Sequence, residues 1–248
     1  MNYMTSPEHL TEALARANQH WLQRHGDKAA SEERAPAAFA IAFSRETGTY
    51  GAAIAREVGN RLGWPVYDRE LLQRIADDLG VHRTLLESVD EKQRDWLSEC
   101  VWGFFATPDV NETVYFRRLV ETLLSLAVHG NCVIVGRGAT NIMPRDTTLR
   151  VRVVAPLEHR IESVQREHKI SVQDATARVE NTDQERNRFI RSHFQIDASD
   201  AANYDLVVNA ACFSTVECAD IVIAALERLR SHPISTVTPR ALHAAAPV

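Results

Sequence analysis

No lysine occurs between Lys28 and Lys92, and nothing in the 248 residues approaches the about 18 consecutive apolar residues of a membrane-spanning helix. The four cysteines, Cys100, Cys132, Cys212 and Cys218, include no C-x-x-C pair, and the ten histidines form no H-E-x-x-H. Those absences speak against a zinc or redox centre and leave reduced, mostly buried thiols as the expectation. Positive charge is also short, with a formal net charge of −5. A non-specific nucleic-acid binder needs a basic face, because phosphate neutralisation supplies most of that affinity. Nucleic acid is therefore not an expected partner, although small anionic substrates need only a local cluster of arginines. The first residues hold no apolar stretch of about 7–15 residues, so no secretory leader is expected and a cytoplasmic location is.

What is present supports a full core. Hydrophobic residues make up 45% of the chain, and its length suits one α/β domain with helical additions. Residues 1–35 read as an N-terminal helical extension and linker, with a start at Ser6-Pro7-Glu8, a stripe of Leu10, Leu14, Ala17 and Trp21, and a stop at Gly26. Residues 36–230 read as the main domain, and 231–248, rich in proline and small residues, as a loose tail.

Short apolar runs recur through the domain. They are Ala38–Phe43, Pro65–Tyr67 and Cys132–Val135, and Leu149–Val154 and Asp205–Val208 read as two further strands. Helical patterns fill the gaps, at about 52–62, 68–79, most of 82–130 with a break near Thr107-Pro108-Asp109, 156–168, 171–191 and 215–229. Strands alternating with helices predict a five-stranded parallel sheet covered on both faces.

Four places bear chemistry. The turn Ser44-Arg45-Glu46-Thr47-Gly48-Thr49-Tyr50-Gly51 joins a strand to a helix start, where bare N–H groups and the helix dipole favour an anion. From the bare pattern, which lacks the usual Gly-Lys-Ser/Thr ending, an ordinary turn is the favoured reading and a phosphate site the alternative. Asp68 follows the second strand, either as a helix N-cap or as a carboxylate at the ligand-binding edge of the sheet; Arg69 beside it reads as a solvated helix residue. In Gly136-Arg137-Gly138 two glycines free an arginine whose planar fork suits phosphate. Arg160, Arg178, Arg186, Arg188 and Arg191 then line the helices of 156–191, interleaved with Glu180, Asp183 and Glu185 as either a salt-bridged face or a charge-neutralising lid. Residues 94–105 concentrate two tryptophans and two phenylalanines, expected as a helix-packing or dimer contact, with base stacking as the alternative.

These stretches resemble the cytidylate-kinase-like family. Ser44-Arg45-Glu46, Gly48, Gly51 and Ile54-Ala55 match its S-R-E-Y-G-S-G-G-R-E-I-A type loop. Three further stretches match in order: Tyr67–Leu72; Val133–Ala139; and Asn181-Thr182-Asp183 with Arg186 and Arg188, followed by Tyr204–Asn209. The resemblance, over about 38–230, implies a three-layer α/β P-loop kinase fold with a helical insert at 82–130 and a helical lid at 156–191. It implies transfer of the γ-phosphoryl of ATP, with Mg²⁺, to a nucleoside monophosphate, cytidylate first. Ser44, Arg45, Gly48, Thr49 and Gly51 would hold the donor phosphates, and Arg137, Arg178 and Asp183 the acceptor. Asp68, Arg160, Arg186 and Arg188 would serve the transfer.

The chain departs from that pattern at instructive points. The P-loop lysine of cytidylate kinases proper is missing, with Arg45 the nearest replacement. Tyr50, Ala52 and Ala53 replace glycine, arginine and glutamate, and Gly138 stands where those kinases read G-R-D. The departures keep two alternatives open: a non-catalytic nucleotide-binding or regulatory protein on the same fold, and a kinase for a non-nucleotide acceptor. A homodimer is open as well.

Overall fold

The computed structural model describes residues 38–105 and 113–231. The expected N-terminal extension and the break at 107–109 lie outside those residues, as does the tail apart from Ser231. Five strands form one sheet: β1 (Ala40–Arg45), β2 (Val66–Tyr67), β3 (Cys132–Val135), β4 (Thr148–Val154) and β5 (Leu206–Asn209). All pairings are parallel, in the order β2-β3-β1-β4-β5. The helices are α1 (Gly51–Leu62), α2 (Arg69–Asp77), α3 (Leu79–Glu87), α4 (Glu91–Phe105), α5 (Val114–His129), α6 (Ala139–Ile142), α7 (Leu157–His168), α8 (Val172–Phe194) and α9 (Thr215–Ser231).

Side chains alternate across each strand, and two cores follow from that period. Ile41 and Phe43 of β1, Val133 and Val135 of β3, and Val151 and Val153 of β4 meet Ile54 and Val58 of α1 and Val222 and Leu226 of α9. On the other face Ala40, Ala42, Cys132 and Ile134 meet Leu72 of α2 and Phe116, Leu119 and Leu123 of α5. Helices on both faces of a parallel sheet make three layers, as the alternating pattern predicted. Each fully buried side chain of this kind contributes roughly 1.5–3 kcal/mol.

The first strand runs two residues past the apolar segment that signalled it. Ser44 pairs with Arg152 and Arg45 with Val153, because β4 continues alongside and offers ladder partners that hydrophobicity alone does not reveal. This extension carries Ser44 and Arg45 to the C-terminal edge of the central strand. The helix expected over 68–79 divides in two. Asp78 ends α2 and caps α3, its carboxylate accepting from Gly80 and Val81 N–H.

Helix α8 belongs to two cores. Ala175 and Val179 pack with Val164 of α7 in a small separate cluster, whereas Phe189, Ile190 and Phe194 join the main core beside Phe116. Ser171 caps its start, with Oγ accepting from Asp174 N–H at 3.1 Å. Among the described residues no helix is long and apolar enough to cross a membrane.

Candidate active site

Strand β1 ends in the middle of the sheet, so its last residues face a cleft between the edge loops and α8. The cleft encloses about 290 Å³ and is lined by Ser44, Arg45, Gly136, Arg137, Arg152, Asp183 and Arg186, among others. Five of its lining residues are arginines (Arg45, Arg69, Arg137, Arg152 and Arg186) against three carboxylates (Glu46, Asp183 and Glu185). That local excess of positive charge exists in a chain whose net charge is −5, and it suits an anionic ligand.

The turn into α1 continues from the lining residues Ser44, Arg45 and Glu46, but Gly48, Thr49 and Gly51 do not themselves line the cleft. Gly48 has φ +84°, and a Cβ there would run into the backbone carbonyl of Arg160, so close approach of α7 requires glycine. Thr49 is buried, its hydroxyl donating to the Glu46 carbonyl at 2.8 Å. Tyr50 takes the left-handed conformation (φ 54°, ψ 20°) that glycine would adopt without strain, and its side chain is 41% exposed. Tyr50 does not line the cleft. Among the described residues the N–H groups of Gly48, Thr49, Tyr50, Gly51, Ala52 and Ala53 find no acceptor. Six bare donors at a helix N-terminus form a place for phosphate oxygens.

The far wall is the Gly136-Arg137-Gly138 loop after β3. Its guanidinium donates from Nη2 to Gln73 Oε1 at 2.9 Å and lies 5.8 Å from the Tyr115 ring and 6.0 Å from that of Phe189. Its Nε is buried and finds no acceptor among the described residues. Burial lowers the pKa of this arginine, and also raises that of Tyr115. Gly138 has φ +73°, and a Cβ there would sit 2.5 Å from the Phe194 ring. The position of the family's aspartate is thus taken up by the end of α8.

Helices α7 and α8 are tied to the turn through an ion-pair network. Asp183 accepts from Thr47 N–H at 2.8 Å and from the Thr47 hydroxyl at 2.7 Å. Arg160 Nη1 meets the other carboxylate oxygen at 2.6 Å, and Arg186 Nη1 lies 3.6 Å from Asp183 Oδ1. Arg186 also donates to the Arg45 carbonyl and the Thr47 hydroxyl, at 3.2 and 3.0 Å. Its pKa is lowered by burial, against the opposing pull of Asp183. Glu46 completes the network with Arg152 at 3.5 Å and Arg160 at 3.4 Å.

Ser44, Arg45, Arg137, Asp183 and Arg186 thus share one cleft, and Arg160 braces it from behind. Asp68 does what its N-cap reading asked: its Oδ1 accepts from Leu71 N–H at 3.1 Å, and its Oδ2 is 3.8 Å from Arg56. Arg178 and Arg188 are exposed on α8 and do not line the cleft. Neither do Trp96 and Trp102, both exposed on α4, although Phe105 packs edge-on to Phe116 at 6.0 Å.

Sequence reasoning missed Arg152 and Thr47. Arg152 is only 7% exposed and donates to Ser44 Oγ at 2.9 Å beneath the Tyr204 ring. The signal was the alternation Arg150-Val151-Arg152 inside a buried strand, which demands partners for two cations; Arg150 has its own in a fork to Asp205. Thr47 gave no signal of its own, since its role depends on α8 folding back over the turn.

The family model described as the cytidylate kinase-like family matches residues 40–211. A cytidylate kinase of Pyrococcus horikoshii is 30% identical over 122 residues, 49% of this chain and 60% of that protein, so the chain spans about three-fifths of that relative's length. Among solved structures, an uncharacterized protein from Eubacterium ventriosum matches with a TM-score of 0.62 at 18% identity, over 77% of this chain and 98% of that one, which is a likeness of fold alone. A shikimate kinase from Bacteroides thetaiotaomicron gives a TM-score of 0.40 at 13% identity, over 78% of this chain and 97% of that one. The matched segment runs from the first residue of β1 to just beyond β5, through every element that lines the cleft, and the chain belongs to the cytidylate kinase-like family.

Proposed function

We propose that the chain transfers the γ-phosphoryl of ATP to a nucleoside monophosphate, with cytidylate the first acceptor to try. The observation that carries this reading is the adjacency of six unpartnered N–H groups at the start of α1 to a cleft lined by five arginines. The first suits donor phosphates, the second an acceptor phosphate. Phosphoryl transfer asks little covalent help of a protein; positioning and charge neutralisation do most of the work. In this reading Ser44, Gly48, Thr49 and Gly51 shape the donor turn, Arg137 holds the acceptor phosphate, and Arg160 and Arg186 hold the lid's charge over the reaction.

Mg²⁺ fits as a companion of the nucleotide. The described residues contain no group of three metal-ligating side chains, so the ion would be held mainly by substrate phosphates, as is usual for Mg²⁺. Asp68 lies at this edge of the sheet but does not line the cleft, and its Oδ2 is 3.8 Å from Arg56, so it would reach the ion only by giving up that pairing. Bound there, Mg²⁺ would neutralise charge on the phosphates.

Calorimetry with ATP and Mg²⁺, followed by a coupled assay of ADP release over a panel of monophosphates, tests the reading. Micromolar ATP binding and turnover fastest on cytidylate are expected. Absence of nucleotide binding would sink it. A second reading, a non-catalytic nucleotide-binding protein, draws support from Asp183, whose carboxylate sits where the first loop amide would meet a phosphate. Tight ATP binding with no turnover on any acceptor would favour that one.

A further inference from the structure

Arg45 is the last residue of β1, and its side chain runs between two glycines from different loops. A Cβ at Gly51, the first residue of α1, would lie 2.7 Å from Arg45 Cβ, so the stem passes directly under the helix start. A Cβ at Gly136 would collide with Arg45 Nη1, so the tip lies against the loop that carries Arg137. The side chain therefore spans from the donor turn to the acceptor wall, and its carbonyl is held by Arg186.

Nothing among the described residues neutralises it. The side chain is half-buried overall with its charged end set deep, yet it makes no hydrogen bond or ion pair within the described protein. Glu70 and Asp68 act on it only from a distance, and Arg186 and Arg69 repel it. Buried cations are ordinarily paired, and one left alone marks a place where a ligand supplies the counter-charge. Burial, with Arg186 next, pulls its pKa down to about 9, which leaves it charged at neutral pH. A structural arginine would show a carboxylate within reach; this one shows two glycines that make room for it.

We propose that Arg45 is the anion ligand at the seam between the two sites, and that it binds the transferring phosphoryl in place of the absent lysine. The transfer role rests on the kinase reading above; the anion-binding role does not. In the step itself an oxygen of the acceptor phosphate bonds to the γ-phosphorus as the bond from that phosphorus to the β–γ bridging oxygen breaks. The bridging oxygen leaves on ADP with the electron pair. Arg45 stays protonated throughout and moves no proton. Its five donors serve oxygens whose charge is shared between the partners during transfer.

The test uses Arg45→Gln and Arg45→Lys, with the fold of each checked by urea unfolding. Inorganic phosphate and pyrophosphate are titrated calorimetrically at pH 7.5, and steady-state kinetics are measured with ATP and the best acceptor. R45Q should weaken pyrophosphate by about 10- to 100-fold, the worth of a charged hydrogen bond. It should also lower kcat by about 1,000-fold or more and raise the KM for ATP. R45K, retaining charge without the fork, should fall between R45Q and the native protein in both. If R45Q does not fold, R45K and Gly136→Ala, which pushes the guanidinium aside without removing it, give the same comparison. Pyrophosphate binding unchanged in these variants overturns the assignment. Lost binding in a protein that turns over no acceptor would retain Arg45 as the anion ligand and remove the kinase reading. Lost binding with unchanged kcat would remove the transfer role.

Discussion

One oxygen of the Asp183 carboxylate accepts both the backbone N–H and the hydroxyl of Thr47, fastening the middle of α8 to the turn after β1. The two residues are 136 positions apart in sequence. The other oxygen holds Arg160, and Arg186 stands beside the first, so four groups converge on one carboxylate. Asp183→Ala should lower unfolding free energy by about 2 kcal/mol, since it strands partly buried arginines and a backbone donor together. Asp183→Asn, which keeps one acceptor oxygen, should cost less. Urea denaturation of both variants checks the order; equal stability of D183A and the native protein would deny the latch any weight.

Gly138→Asp would restore the residue of the G-R-D pattern, but Phe194 occupies the space it needs. With φ +73° and a ring atom 2.5 Å from its Cβ, the variant should lose about 2–4 kcal/mol to overpacking and backbone strain. Phe194→Ala should itself cost about 3 kcal/mol as a cavity. Combined, the two should lose less than their sum by at least about 1 kcal/mol, because the smaller residue admits the larger. Strict additivity in that cycle would show that the ring is not what excludes the aspartate.

Tyr50→Gly should stabilise the protein. Tyr50 holds a left-handed backbone costing about 1–2 kcal/mol, and its exposed ring returns little. Glycine removes the strain but adds freedom to the unfolded chain, leaving a net gain of about 0.5–1 kcal/mol. ATP affinity should be unaltered, as Tyr50 does not line the cleft and is 41% exposed. A loss of affinity on this change would place the ring in the nucleotide site.

His82 gives the fold a pH limit on the acid side. Burial lowers its pKa, with Glu121 opposing and Arg118 assisting. The unfolded chain binds the proton more readily, so stability is fully present above the unfolded value of about 6.5 and declines as pH falls through it. The decline ends once the folded imidazole is protonated too. Thermal unfolding of the native protein and His82→Gln between pH 5 and 8 should show a shallower acid slope in the variant; parallel slopes would remove His82 as the cause.

Cys132–Val135 was legible because parallel strands buried on both faces demand unbroken apolar runs, and Leu149–Val154 because valines recur around its two arginines. The order β2-β3-β1-β4-β5 was not, since each run is compatible with several neighbours. Arg137 was readable from its flanking glycines. Arg152 was harder to see, because a strand arginine looks like an exception to burial until Ser44, Glu46 and Tyr204 are placed around it. Of the arginines on α8, placement decides: Arg186 reaches the turn, whereas Arg178 and Arg188 are exposed. Residue type could not separate them, and an angular spacing needs a known inner face to count from.

Helix α8 is gripped at both ends, by the small α7 cluster through Ala175 and Val179 and by the main core through Phe189 and Phe194. A beam so clamped cannot swing as a free flap. Any opening that admits a nucleotide must either bow the helix near Asp183 or drag α7 and the aromatic end along with it. Under the proposed kinase reading, entry of the donor is thereby mechanically geared to the wall proposed for the acceptor.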